Sequence, residues 1–216
     1  MIDFKNKDLL KQALTHRSWV NENSENNGTN ERLEFLGDAI LEFIVSKEIY
    51  ARFPKEEEGY LTALRANLVN TKNLGSVATS LKIGEMILLS KGEEDGGGRL
   101  NSSLLADTVE AIIGALFLDQ GIEASEKFIN ENILIDVDKK ASLPLKDPKS
   151  LLQEKVQAKG YSAPKYQVIS EMGPDHNKEF TVEVIVNGKP EAKGTGKSKS
   201  EAEQDAASSA LKNVLK

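Results

Sequence analysis

The stretch NERLEFLGDAILEFIV, residues 30–45, places an acidic stripe within an apolar helix. Its apolar residues recur at helical spacing, which predicts a buried helix that begins at Glu31 and ends near Arg52. Four acidic residues fall within roughly 80° of one another on this helix, at about 100° per residue: Glu31, Glu34, Asp38 and Glu42. Like charges at this spacing repel, and burial among Leu, Ile and Phe adds a desolvation cost. Because no Lys or Arg shares that face, a divalent metal ion is the simplest compensating cation.

A second segment, LLADTVEAIIGALFL (residues 104–118), repeats this combination of acidic and apolar residues. Asp107 and Glu110 lie three residues apart and share one face of the predicted helix. An ordinary interpretation remains open from the residues alone. In that interpretation Asp107 is a solvated surface acid, and the Glu34/Asp38 pair is part of an ion-pair face.

The composition limits the classes of protein to which the chain can belong. Its 216 residues suffice for one large or two modest domains, and 39% hydrophobic residues can fill a core. The absence of Cys excludes disulfides, thiolate metal sites and a Cys nucleophile, and fits a reducing cytoplasm. No signal peptide and no 18-residue apolar run is visible, so we expect a soluble cytoplasmic protein.

The net charge of −6 is unevenly distributed. Residues 147–216 carry 11 Lys and 10 acidic residues, a net of +1, whereas residues 1–146 carry 17 basic and 24 acidic residues, a net of −7. The acidic excess therefore belongs to the part that contains the carboxylate pairs. Bound divalent cations would cancel some of it, although most surface acid simply keeps a protein soluble.

The first 136 residues show helical periodicity and almost no strand signal. Helices are predicted over residues 7–14, 31–52, 59–81 with a break near 71–73, 104–118 and 122–132. Residues 21–30 are predicted to form a polar loop, in which Thr29 or Asn30 caps the following helix. Residues 92–103 are predicted to form a Gly-rich loop.

The pattern changes after residue 140. Residues 140–148 have the composition of a linker, with Pro144 and Pro148 as helix breakers. A helix over residues 150–160, three strands and a helix over residues 198–215 then predict an α-β-β-β-α order. We therefore expect an all-α domain over residues 1–140, a linker over residues 141–148 and a second domain over residues 147–216.

Several motifs together resemble a known family. NERLEFLGDAIL is similar to the signature of ribonuclease III, and LTHRS, FPKEEEGYLTALRANLV and LLADTVEAIIGALFLDQG agree with that family in order. After the linker, LLQEKVQAKG, the Pro164–Tyr166 element, GPDH and GKSKSEAEQDAA resemble a double-stranded-RNA-binding domain. The resemblance covers nearly the whole chain.

The resemblance implies roles for the acidic residues and for one aromatic residue. The metal ligands it implies are Glu34, Asp38, Asp107 and Glu110, of which Asp38 and Glu110 are most closely tied to catalysis. Glu31 and Glu58 match auxiliary acidic positions of the cleavage valley. Phe35 matches an aromatic residue that packs into a second subunit, so a homodimer is expected.

In the second domain the resemblance implies contacts with RNA. Gln153 matches a residue that reaches one minor groove, and His176 lies in a loop that enters the next. Lys197 and Lys199 match lysines that bind the phosphates between the two grooves. Ser200 stands where family members commonly have a second Lys, and the loss of one phosphate contact should weaken affinity and lower its salt dependence.

The implied activity is endonucleolytic hydrolysis of double-stranded RNA, in the processing of rRNA and mRNA. The expected products carry 5′-phosphate and 3′-hydroxyl ends with short 3′ overhangs. Two Mg²⁺ ions about 3.5–4 Å apart suit this chemistry, and Mn²⁺ is expected to substitute. Gly37 and Gly114 lie beside the acidic pairs, where they would allow the two helices to approach closely.

The alternative is a protein on the same scaffold that binds double-stranded RNA without cleaving it. The complete set of four carboxylates favours the enzyme. A di-iron oxidase is a poor alternative, since neither His16 nor His176 follows a Glu at the required spacing. His16 is expected to be a structural hydrogen-bonding residue.

Overall fold

A computed structural model describes residues 3–23, 28–174 and 178–214. Over these residues the chain forms two units, Met1–Leu145 and Lys146–Lys216. The first unit is built from helices, and the second contains a helix, three antiparallel strands and a further helix. The predicted fold class, an all-α domain followed by an α-β-β-β-α domain, is confirmed.

The described part of the first unit contains ten α-helices and one short 3₁₀ turn, Gly98–Leu100. The α-helices are α1 Lys7–Ala13, α2 Arg17–Glu22, α3 Glu31–Arg52, α4 Glu58–Val69, α5 Thr71–Ser80, α6 Ile83–Met86, α7 Lys91–Asp95, α8 Ser102–Gln120, α9 Ile122–Asn132 and α10 Val137–Ala141.

The predicted loops over residues 21–30 and 92–103 were partly wrong. In both places a side-chain cap stabilises a short helix. Residues 21 and 22 end α2, which begins after His16; the His16 side chain accepts a hydrogen bond from the Ser18 N–H. Helix α7 and the 3₁₀ turn occupy most of the predicted Gly-rich loop. The Ser90 side chain caps α7 by accepting from the Glu93 N–H. Both caps lie before the predicted loops, and each begins a helix that extends into one of them.

Helix α8 is the centre of the first unit. Ten of its residues are buried, including the consecutive run from Ala111 to Leu116, so the helix is surrounded by other elements along most of its length. Its most extensive contact is with α3, and α5 packs against another side. The two helices that carry the acidic pairs are therefore neighbours in the core.

The second unit consists of α11 Pro148–Ala158, β1 Lys165–Met172, β2 Glu179–Val186, β3 Lys189–Gly196 and α12 Lys199–Val214. The sheet order is β1-β2-β3, and both strand pairs are antiparallel. Asn187 (φ 51°) and Gly188 (φ 77°) connect β2 to β3. Positive φ at both positions is typical of the tight hairpin turn that Asn-Gly favours.

The interpretation of Pro148 as a helix breaker was wrong. Pro148 is the first residue of α11, where its missing N–H leaves no hydrogen bond unmade. The Asp147 side chain caps this helix by accepting from the backbone N–H groups of Lys149 and Ser150. Hydrogen bonds from the Ser150 and Gln204 side chains, with a smaller effect of these backbone bonds, lower the pKa of Asp147 to about 2.

Each unit has its own hydrophobic core. In the second unit the sheet packs its buried Val182 and Val184 against apolar residues of α11 and α12. None of the described helices combines the length and apolar character that a membrane span needs.

Candidate metal centre and RNA-binding residues

Two glycines set the distance between α3 and α8. A Cβ atom on Gly37 would lie 1.7 Å from the Glu110 carbonyl oxygen, and one on Gly114 would lie 2.2 Å from the Leu33 carbonyl oxygen. Neither position tolerates a side chain without a shift of backbone. The expected role of Gly37 and Gly114 in close helix approach is confirmed.

This close crossing brings three carboxylates together. Carboxylate oxygens of Glu34, Asp107 and Glu110 all lie within 4.8 Å of one another. All three side chains are half-buried. A group of hard oxygen ligands at this separation has the chemistry that a divalent cation requires.

Burial raises the pKa of all three carboxyl groups. For Glu110, burial and then the charges of neighbouring carboxylates raise the pKa to about 8. For Glu34, the charge of Asp107 adds to the effect of burial, whereas for Asp107 the nearby His16 partly offsets it. The three groups thus resist simultaneous ionisation, and a bound cation would remove that resistance.

The ends of the acidic stripe on α3 have cationic partners from other elements. Arg17 Nη1 lies 3.2 Å from Glu31 Oε1, and Arg65 Nε lies 2.8 Å from Glu42 Oε2. Over residues 3–23, 28–174 and 178–214, no Lys or Arg forms an ion pair with the three clustered carboxylates. The charge that needs compensation is therefore concentrated at the middle of the stripe.

Besides Glu31, two predicted acidic site residues lie outside this group. Asp38 is exposed on α3; its charge raises the pKa of Glu34 and Glu110, but its oxygens do not join the three. Glu58 is exposed at the start of α4 and accepts a hydrogen bond of 2.9 Å from Thr62 Oγ1. Asp38 thus borders the cluster, and Glu58 belongs to a separate helix end.

A cavity of about 280 Å³ opens beside the cluster. Its lining includes His16, Asn30, Glu34 and Asp107. His16 is confirmed as a structural hydrogen-bonding residue because it caps α2. The sequence motifs did not indicate that it also faces the acidic cluster, since His16 lies 91 positions from Asp107.

Comparison with known proteins agrees with the two units. Residues 6–137 match a family model described as ribonuclease-III-like, and residues 148–214 match the double-stranded RNA binding motif. The chain belongs to the ribonuclease III family. It is therefore an endoribonuclease of the type specific for double-stranded RNA, and membership of this family implies dependence on a divalent metal.

Relatives align along nearly the whole chain. The ribonuclease 3 of Geobacillus sp. (strain WCH70) is 49% identical over 214 residues, which are 99% of this chain and 87% of that protein. The ribonuclease 3 of Bacillus licheniformis is 47% identical over 216 residues, with coverage of 100% and 87%.

Solved structures also resemble this ribonuclease III chain. The nuclease domain of ribonuclease III from Campylobacter jejuni is 43% identical, with a TM-score of 0.56 and coverage of 61% of this chain and 92% of that one. Dicer from Pichia stipitis is 27% identical, with a TM-score of 0.52 and coverage of 99% and 96%.

The nuclease unit of this ribonuclease III presents an apolar stripe along α3. Phe35, Phe43 and Tyr50 are 81%, 60% and 75% exposed. At helical spacing they lie within roughly 80° of one another. The motif comparison singled out Phe35 alone, although Phe43 and Tyr50 follow at intervals of eight and seven residues and are readable from the sequence.

In the RNA-binding unit the predicted contact residues are at the surface. Gln153 is exposed on α11, and Lys197 and Lys199 are exposed at the start of α12. Lys199 Nζ lies 3.4 Å from Glu171 Oε1 and 5.7 Å from the centre of the Phe180 ring. His176 lies outside the described residues.

The turn that carries the two lysines is held by hydrogen bonds. The Glu201 N–H donates to Ser198 Oγ (3.2 Å), as the predicted capping box requires. The Glu201 carboxylate accepts from the Lys197 N–H (2.9 Å), one residue earlier than in the standard box. This arrangement fixes the backbone of Lys197 while its side chain remains exposed.

Proposed function

We propose that this ribonuclease III hydrolyses double-stranded RNA with Mg²⁺, and that Mn²⁺ can replace Mg²⁺. The products are short duplexes with 5′-phosphate and 3′-hydroxyl ends and short 3′ overhangs. The observation that carries the proposal is the group of Glu34, Asp107 and Glu110 within 4.8 Å, without a Lys or Arg partner in the described part of the chain.

The proposed metal ligands are Glu34, Asp38, Asp107 and Glu110, of which Asp38 and Glu110 are the most closely tied to catalysis. A bound divalent ion supplies an activated water and stabilises the departing oxygen. The water oxygen bonds to phosphorus, the bond to the 3′-oxygen breaks, and protonation of that oxygen gives the 3′-hydroxyl end. Glu31 and Glu58 are proposed as auxiliary acidic residues of the cleavage valley. Arg17 and Thr29 hold the Glu31 carboxylate in place.

The direct test is cleavage of a long RNA duplex by the purified protein. We expect complete conversion to short duplexes with Mg²⁺ and none in excess EDTA, because without a cation nothing in the cluster stabilises the departing oxygen. A DNA duplex of the same sequence is the control and should stay intact. Cleavage that persists in EDTA, or equal attack on DNA, would contradict the proposed reaction.

The alternative, a binding protein without cleavage activity, is less well supported. Burial of three like-charged groups without compensation costs stability, and binding of RNA by the second unit does not require it. A metal site explains why the chain keeps three buried carboxylates despite their cost in stability.

We further propose that the enzyme acts in the cytoplasm on rRNA and mRNA precursors. Residues 1–140 are the catalytic domain, residues 147–216 are the RNA-binding domain, and a linker over residues 141–148 joins them.

We propose that the nuclease domain forms a homodimer through the stripe of Phe35, Phe43 and Tyr50. Exposed aromatic residues in a row are typical of protein interfaces, and a two-fold contact would cover the same residues on both subunits. The solved Campylobacter jejuni relative is described as having a region involved in dimer formation, which supports the proposal. Two catalytic clusters per dimer would suit cleavage of two strands.

Phe35→Asp is therefore expected to convert the dimer to a monomer, because a charge at the centre of an apolar contact is desolvated without a partner. Sedimentation velocity at micromolar concentration measures this. Leu100→Asp is the matched control, since Leu100 is 83% exposed but lies in the 3₁₀ turn, away from α3. Equal sedimentation of both variants as dimers would refute the proposed interface.

We propose that the second domain binds the RNA duplex by shape. Gln153 and His176 are assigned to two successive minor grooves, and Lys197 and Lys199 to the intervening phosphates. To reach a phosphate, Lys199 must leave Glu171, which costs little because both side chains are largely exposed. Exposure of Gln153 and both lysines supports this assignment.

Lys199→Ala is expected to weaken binding to all RNA duplexes by a similar factor. It should also reduce the slope of log affinity against log salt by about 1, because one phosphate contact is lost. Filter binding or fluorescence anisotropy at several salt concentrations measures both quantities. Lys212→Ala, in the last turn of α12, is the control and should change neither. An unchanged slope for Lys199→Ala would remove this residue from the phosphate-binding set.

A further inference from the structure

The cavity of about 280 Å³ beside the acidic cluster contains polar groups that the proposed metal site does not use. It lies at the start of α3, and its lining includes Asn30 and His16 together with Glu34 and Asp107. Its volume is just below the range of roughly 300–1,000 Å³ for small-molecule sites. A single sugar fits this size better than a base pair.

Asn30 is the first of these groups. The residue is 4% exposed, yet its side chain makes no hydrogen bond with the described residues and does not cap α3. The backbone there is helical (φ −73°, ψ −16°), unlike the extended N-caps Asn6, Asn70 and Asn101, whose side chains all accept capping bonds. Among the described residues Tyr166 Oη is the one buried side-chain polar atom without a partner, so the Asn30 amide is open to the cavity. An unpaired amide in a cavity wall can hydrogen-bond a ligand.

His16 is the second group, and its hydrogen bonds determine which nitrogen carries the proton. Ser18 Oγ accepts from the Ser90 N–H (2.9 Å), so its own hydrogen is directed to His16 Nδ1, 2.8 Å away. Nδ1 also accepts from the Ser18 N–H at 3.2 Å. Nδ1 is therefore an acceptor, and the neutral ring carries its hydrogen on Nε2. That N–H has no acceptor among the described residues.

The charge around the cavity restricts the ligand. Glu31, Glu34 and Asp107 contribute negative charge, and the Arg17 guanidinium is already paired with Glu31 at 3.2 Å. In the metal-free protein, a free anion would be repelled from this cavity. A hydroxyl group is neutral and both donates and accepts, so it matches an amide and an imidazole N–H.

We propose that this cavity is a subsite for the ribose next to the cleaved bond, where Asn30 and His16 hydrogen-bond its 2′-hydroxyl. The proposal rests on the function proposed above, because the cavity shares Glu34 and Asp107 with the acidic cluster. It assigns to the nuclease domain a selection for RNA over DNA that is separate from that of the RNA-binding domain. The 2′-hydroxyl is the group that distinguishes the two polymers.

Single-turnover cleavage of duplexes with one 2′-deoxy substitution, moved through the positions that flank the cleaved bond, tests the subsite. The wild-type protein is expected to cleave one of these duplexes about tenfold more slowly than the unmodified RNA. Asn30→Ala should cleave the unmodified RNA about tenfold more slowly and should show less than a twofold effect of that same substitution. The effects of 2′-deoxy substitutions elsewhere should remain, since they report on the other domain.

Two further variants separate recognition from folding. His16→Asn keeps an acceptor for the Ser18 N–H, because Asn is a favourable N-cap, but removes the donor that faces the cavity. It should also diminish the same 2′-deoxy effect. Asn30→Ala should keep the wild-type melting temperature within about 2 °C, because its amide makes no hydrogen bond to lose. Asn6→Ala, which loses a true cap on α1, should melt lower and keep the full 2′-deoxy effect.

The outcomes are distinct. If the wild-type protein shows no sensitive flanking position, or if Asn30→Ala keeps the full sensitivity, the subsite is wrong while the proposed function stands. A fall of several degrees in the melting temperature of Asn30→Ala would identify Asn30 as a structural residue and overturn its role in recognition. Failure of the wild-type protein to cleave unmodified RNA would overturn both the function and the subsite.

Discussion

Glu110→Gln is expected to reduce single-turnover cleavage of an RNA duplex by at least about 100-fold, since even residues behind a metal ligand change activity by about 10–100-fold. Gln is close to Glu in shape but offers a neutral, weaker ligand to a hard cation. Binding of the RNA duplex without cleavage should be unchanged, because the RNA-binding unit has its own core. Wild-type cleavage at saturating Mg²⁺ would remove Glu110 from the catalytic group.

The same substitution is expected to stabilise the metal-free protein at alkaline pH. The folded state raises the pKa of Glu110 to about 8, above its ordinary value of 4.5, because the group is buried beside other carboxylates. Between pH 4.5 and about pH 8, Glu110 keeps its proton in the folded state and has lost it in the unfolded state. The free energy of unfolding therefore falls as the pH rises through this range. Gln carries no such penalty. The effect is the reverse of that for a carboxylate in an ion pair.

Thermal unfolding in EDTA measures this effect. Glu110→Gln should melt above the wild type at about pH 8.5, and the difference should shrink towards about pH 5. Glu131→Gln, an exposed change on α9, is the control and should melt with the wild type at both values. If the variant were less stable than the wild type at high pH, the folded state would not raise the pKa of Glu110. Loss of activity with gain of stability is the signature expected of a functional site.

Gly37→Ala is expected to have the largest effect on folding. The added Cβ would lie 1.7 Å from the Glu110 carbonyl oxygen, so α3 and α8 would have to separate along their buried contact. We expect a loss of at least about 3 kcal/mol in the free energy of unfolding, at or beyond the upper end for overpacked cores. Gly114→Ala should act in the same way, because its Cβ would lie 2.2 Å from the Leu33 carbonyl oxygen.

Urea denaturation provides the measurement, and Gly59→Ala provides the matched control. Gly59 lies on helix α4 and a Cβ there has no neighbour within 4 Å, so Ala should be neutral or stabilising by up to about 1 kcal/mol. If Gly37→Ala were as stable as the wild type, the close helix crossing would be wrong. Any Gly37→Ala protein that still folds should bind divalent metal more weakly, since Glu34 and Glu110 would move apart.

The candidate site was readable from the sequence in its residue types but not in its arrangement. Two acidic pairs in apolar helices indicated a metal site, and three of the four carboxylates do converge. Periodicity placed Asp38 on the same face as Glu34, but it cannot say how far each side chain reaches towards a neighbouring helix. Nor could it show that Arg17 and Arg65 compensate the ends of the stripe, because both residues come from other elements.

The errors in the predicted fold have the same cause, since a sequence pattern does not show contacts between separate elements. Residues 92–103 contain Gly and polar residues that suggest a loop, yet Ser90 and Asn101 use their side chains to begin α7 and α8. Pro148 was interpreted as a breaker, although Asp147 before it makes an N-cap. A cap and a turn use the same polar residues, and the difference between them is decided by whether the following segment has a surface to pack against.

By itself, the sequence determined the fold class, the order of elements and the family. Periodicity, turn residues and motifs are local properties that can be recognised without coordinates. It also indicated that the acidic stripe on α3 needs a compensating cation. Only the tertiary structure decided how closely the backbones of α3 and α8 approach at Gly37 and Gly114. It also decided that Glu34 joins Asp107 and Glu110, and that the Asn30 side chain lines the cavity without capping α3. These are distances between segments some 70 residues apart in the chain, and they are fixed by packing of the whole core and not by any one segment.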